Sequence, residues 1–409
     1  MKKFALSILV FAAFCSAWAA PLFIGYYPDW GKWRKPAYTV DKVPYNKLTH
    51  VLWSFLTPNT DGTLKGDAAD DPSALDSMVT LAHAAGTKVI VSLGGGGQSE
   101  TFVPVARDNT LRQKFVANLV QYVADHNLDG LDMDWEFDKV PVPEQDTTAY
   151  SKLLTELREA LPKDKSLSAA LPCSPYYGKW FTAEVLVKNL DWLGFMTYDM
   201  TGDWDEKAMF DSPLYPHEGY TTWSWKETFD YWSKRGVPAE KMVFGIPSFG
   251  FQFEGANGPG KNFTKGKTNT ISYAQIVKNT DWVFHFDSVS AEPYGVTENS
   301  YVTFEDPHSA AIKSRWIKDN GYAGIMVWEV SHDYIEGVGN PILDSIAVVL
   351  HEGTTSIGDF HKKRAVGTRL DASQLQNTQI KRVDALGKSV QSVGSEQHRK
   401  NRFEFRVER

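Results

Sequence analysis

Short apolar runs recur along the chain, separated by segments whose apolar residues return at helical spacing. Strands are predicted over Leu22–Tyr27, His50–Phe55, Lys88–Leu93, Gly130–Trp135, Ser166–Leu171, Trp192–Tyr198, Met242–Pro247 and Gly324–Trp328. Amphipathic helices are predicted between several of them, at Pro72–Ala85, Asn109–His126, Thr147–Leu161, Lys226–Arg235 and Pro307–Asn320. Strands alternating with helices build parallel βαβ units. Eight such strands fit an α/β protein of the closed (β/α)8 type, the TIM barrel. A doubly wound open sheet is the competing arrangement. It usually carries a glycine-rich phosphate turn after its first strand, and Tyr26-Tyr27-Pro28-Asp29-Trp30 has no such glycines.

Three segments break the alternation. About residues 252–303 lie between the seventh strand and the last predicted helix, and hold short aromatic runs such as Trp282–Phe286 and Tyr301–Phe304. A small inserted α+β lobe is predicted there. The first 19 residues read as a secretory signal: Lys2 and Lys3 precede an apolar stretch from Phe4 to Phe14, with Ala17 and Ala19 at a small-residue cleavage site. That stretch is too short to span a bilayer, so secretion and a soluble mature protein are expected, with no membrane attachment after cleavage. Residues 354–409 are polar, basic and poor in aromatics, the composition of a disordered tail. The catalytic barrel is placed at residues 20–353.

Composition narrows the chemistry. The chain has 14 Trp, more than a core of this size needs, and the surplus suits a groove in which flat rings meet the apolar faces of sugars. Of its 2 Cys, Cys15 leaves with the signal and Cys173 remains unpaired, so stability must come from a large core. The His residues are scattered, and neither a metal nor a cofactor is expected. The formal net charge is −7, although residues 356–409 carry 12 Lys/Arg against 6 Asp/Glu. The barrel segment is therefore more acidic than the whole chain, which argues against a nucleic-acid partner and suits a neutral or cationic polymer. A monomer is expected.

The strongest chemical signal is Asp129-Gly130-Leu131-Asp132-Met133-Asp134-Trp135-Glu136. Strand alternation puts Asp132, Asp134 and Glu136 on one face and Leu131, Met133 and Trp135 on the other. The apolar face must pack against helices, which turns three carboxyls toward the barrel interior and mouth. Aligned carboxyls in a low-dielectric interior repel one another unless they share protons. Glu136 comes last, at the C-terminal strand end where barrel enzymes place their chemistry. A charged Asp134 beside it would keep it protonated, as a general acid requires. A metal site is the competing reading, but no His accompanies the acids.

This run resembles the signature of glycoside hydrolase family 18, Asp-Gly-x-Asp-x-Asp-x-Glu, at every fixed position. Ser92-Leu93-Gly94-Gly95, Met196-Thr197-Tyr198-Asp199, Gly324-Ile325-Met326-Val327-Trp328, and Thr49-His50 with Phe55 resemble further motifs of the family in the right order, over about residues 22–335. The resemblance implies a secreted chitinase, of bacterial type, with chitin or chitooligosaccharides as its partner. Glu136 would then protonate the glycosidic oxygen, Asp134 would hold the substrate's acetamido group, and Asp132 would buffer Asp134 with Ser92 in the same network. Tyr198 and Asp199 would support the acetamido group from the far side. Trp328 would underlie the distorted sugar, with Met196, Phe55 and Gly95 lining the same site. The substrate's own acetamido oxygen would be the nucleophile, an exception to the two-carboxylate rule.

The sequence departs from the family's common pattern in places. Gly96-Gly97 follows Gly95 where many chitinases carry a sugar-stacking Trp, and Trp204 stands at a position that partly replaces such stacking. Phe251 stands where some relatives have Arg, and Phe304-Glu305-Asp306 where Tyr-Asp-Asp is frequent. Tyr27, Trp30 and Trp33, read as lying just past the first strand, would extend the groove. The inserted lobe is shorter than that of processive relatives, which favours a shallow cleft and internal cutting. Two alternatives remain open at this level: an endo-N-acetylglucosaminidase acting on N-glycans or peptidoglycan, and an inactive chitin-binding lectin. Lectins of this kind usually lose the terminal Glu, which is present here as Glu136.

Overall fold

The computed structural model describes residues 20–351. The expected signal segment and basic tail lie outside the described residues. Eight parallel strands form a closed barrel: Leu22–Pro28, His50–Pro58, Lys88–Gly94, Gly130–Asp134, Ser166–Pro172, Trp192–Met196, Met242–Pro247 and Gly324–Trp328. The first strand pairs with both the second and the eighth, which closes the ring. The (β/α)8 expectation holds because the strand runs and helical periods were both strong. Helices run over Ser73–Ala84, Asn109–Asp125, Glu144–Ala160, Trp225–Lys234 and Pro307–Asn320, close to the predicted spans. A helix at Pro341–His351, which the sequence reading did not predict, follows the eighth strand. Among the described residues no helix is long and apolar enough to cross a membrane.

Strand alternation separates two apolar layers. Phe23, Val51, Val91, Leu131, Met133, Trp135, Leu167, Phe195, Phe244 and Val327 face outward into the layer beneath the helices. Ile24, Tyr26, Leu52, Ile90, Trp192, Val243 and Met326 fill the barrel interior. The sixth strand ends at Met196, two residues short of the expected Tyr198. Thr197 turns the chain there, its side chain donating to the main-chain oxygen of Gly245 at 2.8 Å.

The inserted lobe is an antiparallel sheet of five strands, Phe249–Glu254, Thr268–Ser272, Val283–Asp287, Glu292–Val296 and Ser300–Phe304. A single helical turn, Tyr273–Ile276, follows the second of them. The sheet begins at Phe249, earlier than the expected position 252, because the strand resumes one residue after Pro247. A buried cluster of Ala208, Phe253, Ala256 and Tyr301 holds the lobe beside the loop that follows the sixth strand.

Candidate active site

Strand register assembles the acid site. Ser92 is opposite Asp132 on one side, and Ser168 is opposite it on the other. All three therefore lie in one layer of the barrel interior. Ser92 donates to Asp132 Oδ2 at 2.8 Å, Ser168 to Oδ1 at 2.6 Å, and the Tyr26 hydroxyl to Oδ2 at 3.0 Å. Burial raises the pKa of Asp132, and these three donors oppose the rise by stabilising the carboxylate. Asp134 sits one layer higher, 4% exposed. Burial first, then the charges of Glu136 and Asp132, push its pKa well above the ordinary range. Its Oδ1 meets no hydrogen-bond donor of the protein. A buried carboxyl oxygen without a donor, flanked by two other carboxyls, is the arrangement that a shared proton relieves.

Glu136 lies at the mouth, half-buried. Burial first, then the charges of Asp199 and Asp138, push its pKa up to about 7. A carboxyl with that value is protonated at mildly acidic pH and loses its proton near neutrality, which suits a general acid that later acts as a base.

The wall beside Glu136 is shaped by glycines. The Gly95 amide donates to the main-chain oxygen of Asp134 at 2.8 Å, and Gly95 has a φ of +89°. A Cβ at Gly95 would come within 2.5 Å of the Phe55 ring. Phe55 is thereby free to stack on Trp328, with ring centroids 5.6 Å apart and planes 24° from parallel. Trp30 and Tyr26 also meet Trp328, at 6.2 and 5.6 Å, so an aromatic floor surrounds it. Tyr198 and Met196 belong to the cluster in the upper barrel interior. Asp199 adopts the left-handed conformation, φ +55°, and opens to solvent at the mouth. The surrounding protein still displaces enough water to push its carboxyl up to about 6.

One expected groove residue lies elsewhere. Tyr27 is buried in the outer layer, packed on Tyr38 and Trp53, with its hydroxyl donating to the main-chain oxygen of Tyr38 at 3.3 Å. The first strand runs through to Pro28, so Tyr27 takes the outward parity and Tyr26 the inward one. Trp30 joins the floor. Trp33 and Trp204 are 68% and 67% exposed, and Gly96 and Gly97 leave the opening beside Glu136 uncovered. Tyr26 and Ser168 were missed by the sequence reading. Alternation from Ile24 points to Tyr26, whereas Ser168 needs the strand register, which spacing alone does not give.

Residues 22–333 match the profile of "Glycosyl hydrolases family 18". The chain is 26% identical to an endochitinase of Manduca sexta over 86% of this chain and 70% of that protein. It is 27% identical to chitinase 1 of Aphanocladium album over 75% of this chain and 80% of that protein. Among solved structures, the second catalytic domain of Ostrinia furnacalis Group II chitinase, in complex with an N-acetylglucosamine oligomer, superposes with a TM-score of 0.76 at 26% identity, covering 81% of this chain and 97% of that one. Relatives come from insects, nematodes, fungi and a bacterium, so they do not single out the bacterial type expected from the sequence. The barrel, its acid-bearing fourth strand and the span of the match agree, and the chain belongs to glycosyl hydrolases family 18.

Proposed function

We propose that the protein is a chitinase that hydrolyses β-1,4 bonds between N-acetylglucosamine units with retention of anomeric configuration. The observation that carries this reading is the unpartnered, buried Oδ1 of Asp134 beside half-buried Glu136. An acetamido N–H supplies the donor that this oxygen lacks. Glu136 delivers its proton to the glycosidic oxygen as the bond from C1 to that oxygen breaks. The carbonyl oxygen of the substrate's own acetamido group forms the new bond to C1, giving an oxazolinium ion. Asp134 holds the acetamido N–H and opposes the positive charge, while Asp132 takes up the proton that Asp134 shares. Tyr198 and Asp199 hold the acetamido group from the other side, and Trp328 supports the sugar ring. Ionised Glu136 then takes a proton from the water that attacks C1, while the bond from C1 to the acetamido oxygen breaks and the acetamido group is restored. Two inversions at C1 leave the β configuration. A polymer lacking the acetamido group has no internal nucleophile, so cellulose and xylan are not turned over. The protein acts outside the cell as a monomer. The likeness to a relative named "Secreted chitinase LysM12", 28% identical over 78% of this chain, supports the location.

Incubation with a soluble N-acetylglucosamine oligomer, followed by proton NMR, should show β-anomers appearing first. Initial α-anomer would sink the mechanism, and turnover of glycoprotein or cell wall in preference to chitin would reassign the substrate.

The glycine at position 95 gives a second expectation. An added methyl group must displace the Phe55 ring or move the main chain that carries it. Gly95→Ala should lower kcat/KM by about 10-fold to 100-fold, the scale on which small displacements act in a site of this kind. Wild-type kinetics in that variant would show that the stack of Phe55 on Trp328 does not shape the site.

A further inference from the structure

The turn that carries Tyr198 and Asp199 is tied to the inserted lobe. Asp211 and Ser212, in the loop after the sixth strand, are both fully buried. The Asp211 carbonyl accepts from the Met200 amide at 3.1 Å, and the Ser212 hydroxyl donates to the Thr197 carbonyl at 2.6 Å. Two hydrogen bonds thus bracket Tyr198 and Asp199, one from each of two adjacent residues. Asp199 needs such a bracket, because a non-glycine residue at φ +55° is uncommon and persists when its surroundings fix it.

Something must in turn hold Asp211 and Ser212, and Glu292 does so. It is the first residue of the fourth lobe strand and is fully buried. Its Oε1 accepts from the Asp211 amide at 3.0 Å, and its Oε2 from the Ser212 amide at 3.1 Å. Thr303, on the neighbouring lobe strand, donates its hydroxyl to Glu292 Oε1 at 2.5 Å and accepts from the Asp211 amide at 3.1 Å. Lys313 completes the support, its ammonium donating to the Ser212 carbonyl and pairing with Glu305. The Ser290 carbonyl adds a main-chain link, accepting from the Leu214 amide at 2.8 Å. A buried carboxylate on two adjacent amides is a strong, directional fixture.

We propose that Glu292 is a positioning residue for the reaction: from the lobe it fixes the main chain of Asp211 and Ser212, and through them the turn that presents Tyr198 and Asp199 to the substrate. The proposal rests on the reading of Tyr198 and Asp199 as groups that hold the acetamido substituent. It also gives the lobe a part in the chemistry that its distance along the chain conceals.

The full chain carrying Glu292→Ala, Glu292→Gln, Thr303→Val or Thr303→Ser tests this on a soluble N-acetylglucosamine oligomer. Glu292→Ala leaves the buried Ser212 amide without its acceptor and the Asp211 amide with Thr303 alone, and should lower kcat by about tenfold or more, with KM within about twofold of wild type. Glu292→Gln keeps one acceptor oxygen for the amides and should recover most of that loss. Thr303→Val should lower kcat in the same sense, and Thr303→Ser should restore it. Hydrogen exchange gives a readout independent of turnover: the amides of Met200, Asp211 and Ser212 should exchange faster in Glu292→Ala. A folded Glu292→Ala protein with wild-type kcat, a loss confined to KM, or unchanged exchange at those amides would overturn the proposal. If Glu292→Ala does not fold, Thr303→Val decides, and wild-type kcat with unchanged exchange there overturns it as well. A wild-type protein that leaves the oligomer intact would refute the chitinase reading alone, since the exchange measurement still judges the clamp.

Discussion

Glu136→Gln is expected to abolish nearly all turnover, by about 10²–10⁴-fold in kcat, while oligomer affinity stays close to wild type. The substitution keeps the shape of the side chain at the mouth and removes only the ionisable proton. On the proposed function, binding would rest on the aromatic floor of Phe55, Trp30 and Trp328, which the change does not touch. The pH dependence follows with the same sign. Glu136 acts as an acid only while protonated, so kcat/KM should fall as pH rises through about 7. Stability should respond too. A carboxyl whose folded pKa is raised favours the native state below the ordinary carboxylate range, and that contribution is lost as pH climbs through the raised value. Wild type should therefore lose melting temperature relative to Glu136→Gln between about pH 4.5 and pH 7. Residual turnover within tenfold of wild type would show that another group supplies the proton.

Asp134→Asn should be the second most damaging change, lowering kcat by about 10²–10³-fold through loss of negative charge against the oxazolinium ion. The variant keeps a hydrogen-bonding side chain of the same shape, so the loss measures charge and proton sharing rather than packing. It also removes one of three interacting acids on the fourth strand. The charges of Glu136 and Asp132 hold the Asp134 carboxyl up, so the acids titrate together, and removing Asp134 should change the position of the alkaline limb of kcat/KM. A variant with reduced kcat but an unmoved alkaline limb would mean that Asp134 does not share its titration with Glu136. A loss seen only in KM would assign it to ground-state binding.

Much of this was readable in the sequence because the signals were local. The eight strands announce themselves as apolar runs, and Asp132, Asp134 and Glu136 share a face by parity alone. The error at Tyr27 came from reading it as a groove residue past the first strand: the strand continues through it to Pro28, so alternation turns Tyr27 outward and leaves Tyr26 facing the acids. The contacts that spacing could not supply come from register and from chain-distant packing. Ser168 reaches Asp132 because strands four and five align at those residues. Glu292 reaches Asp211 across 81 positions of sequence, and no local pattern marks it. The helix at Pro341–His351 is mostly apolar and packs on the preceding helix, and its first-turn amides of Ile342 and Leu343 donate to the buried Asp333 carboxylate, an acceptor that no helical period marks.

The lobe enters and leaves the barrel almost without a linker. Only Ser248 separates the seventh strand from the first lobe strand, and Ser248 is itself buried, with its amide on the Trp328 carbonyl at 2.9 Å. At the far end only Glu305 and Asp306 intervene before the helix at Pro307. Such joints transmit strain and leave no hinge. The lobe is therefore no interchangeable cassette: grafting it onto another barrel, or trimming it to a short loop, cuts into the scaffold itself. Barrel and lobe should unfold in one cooperative transition, and calorimetry should record a single peak for the two together.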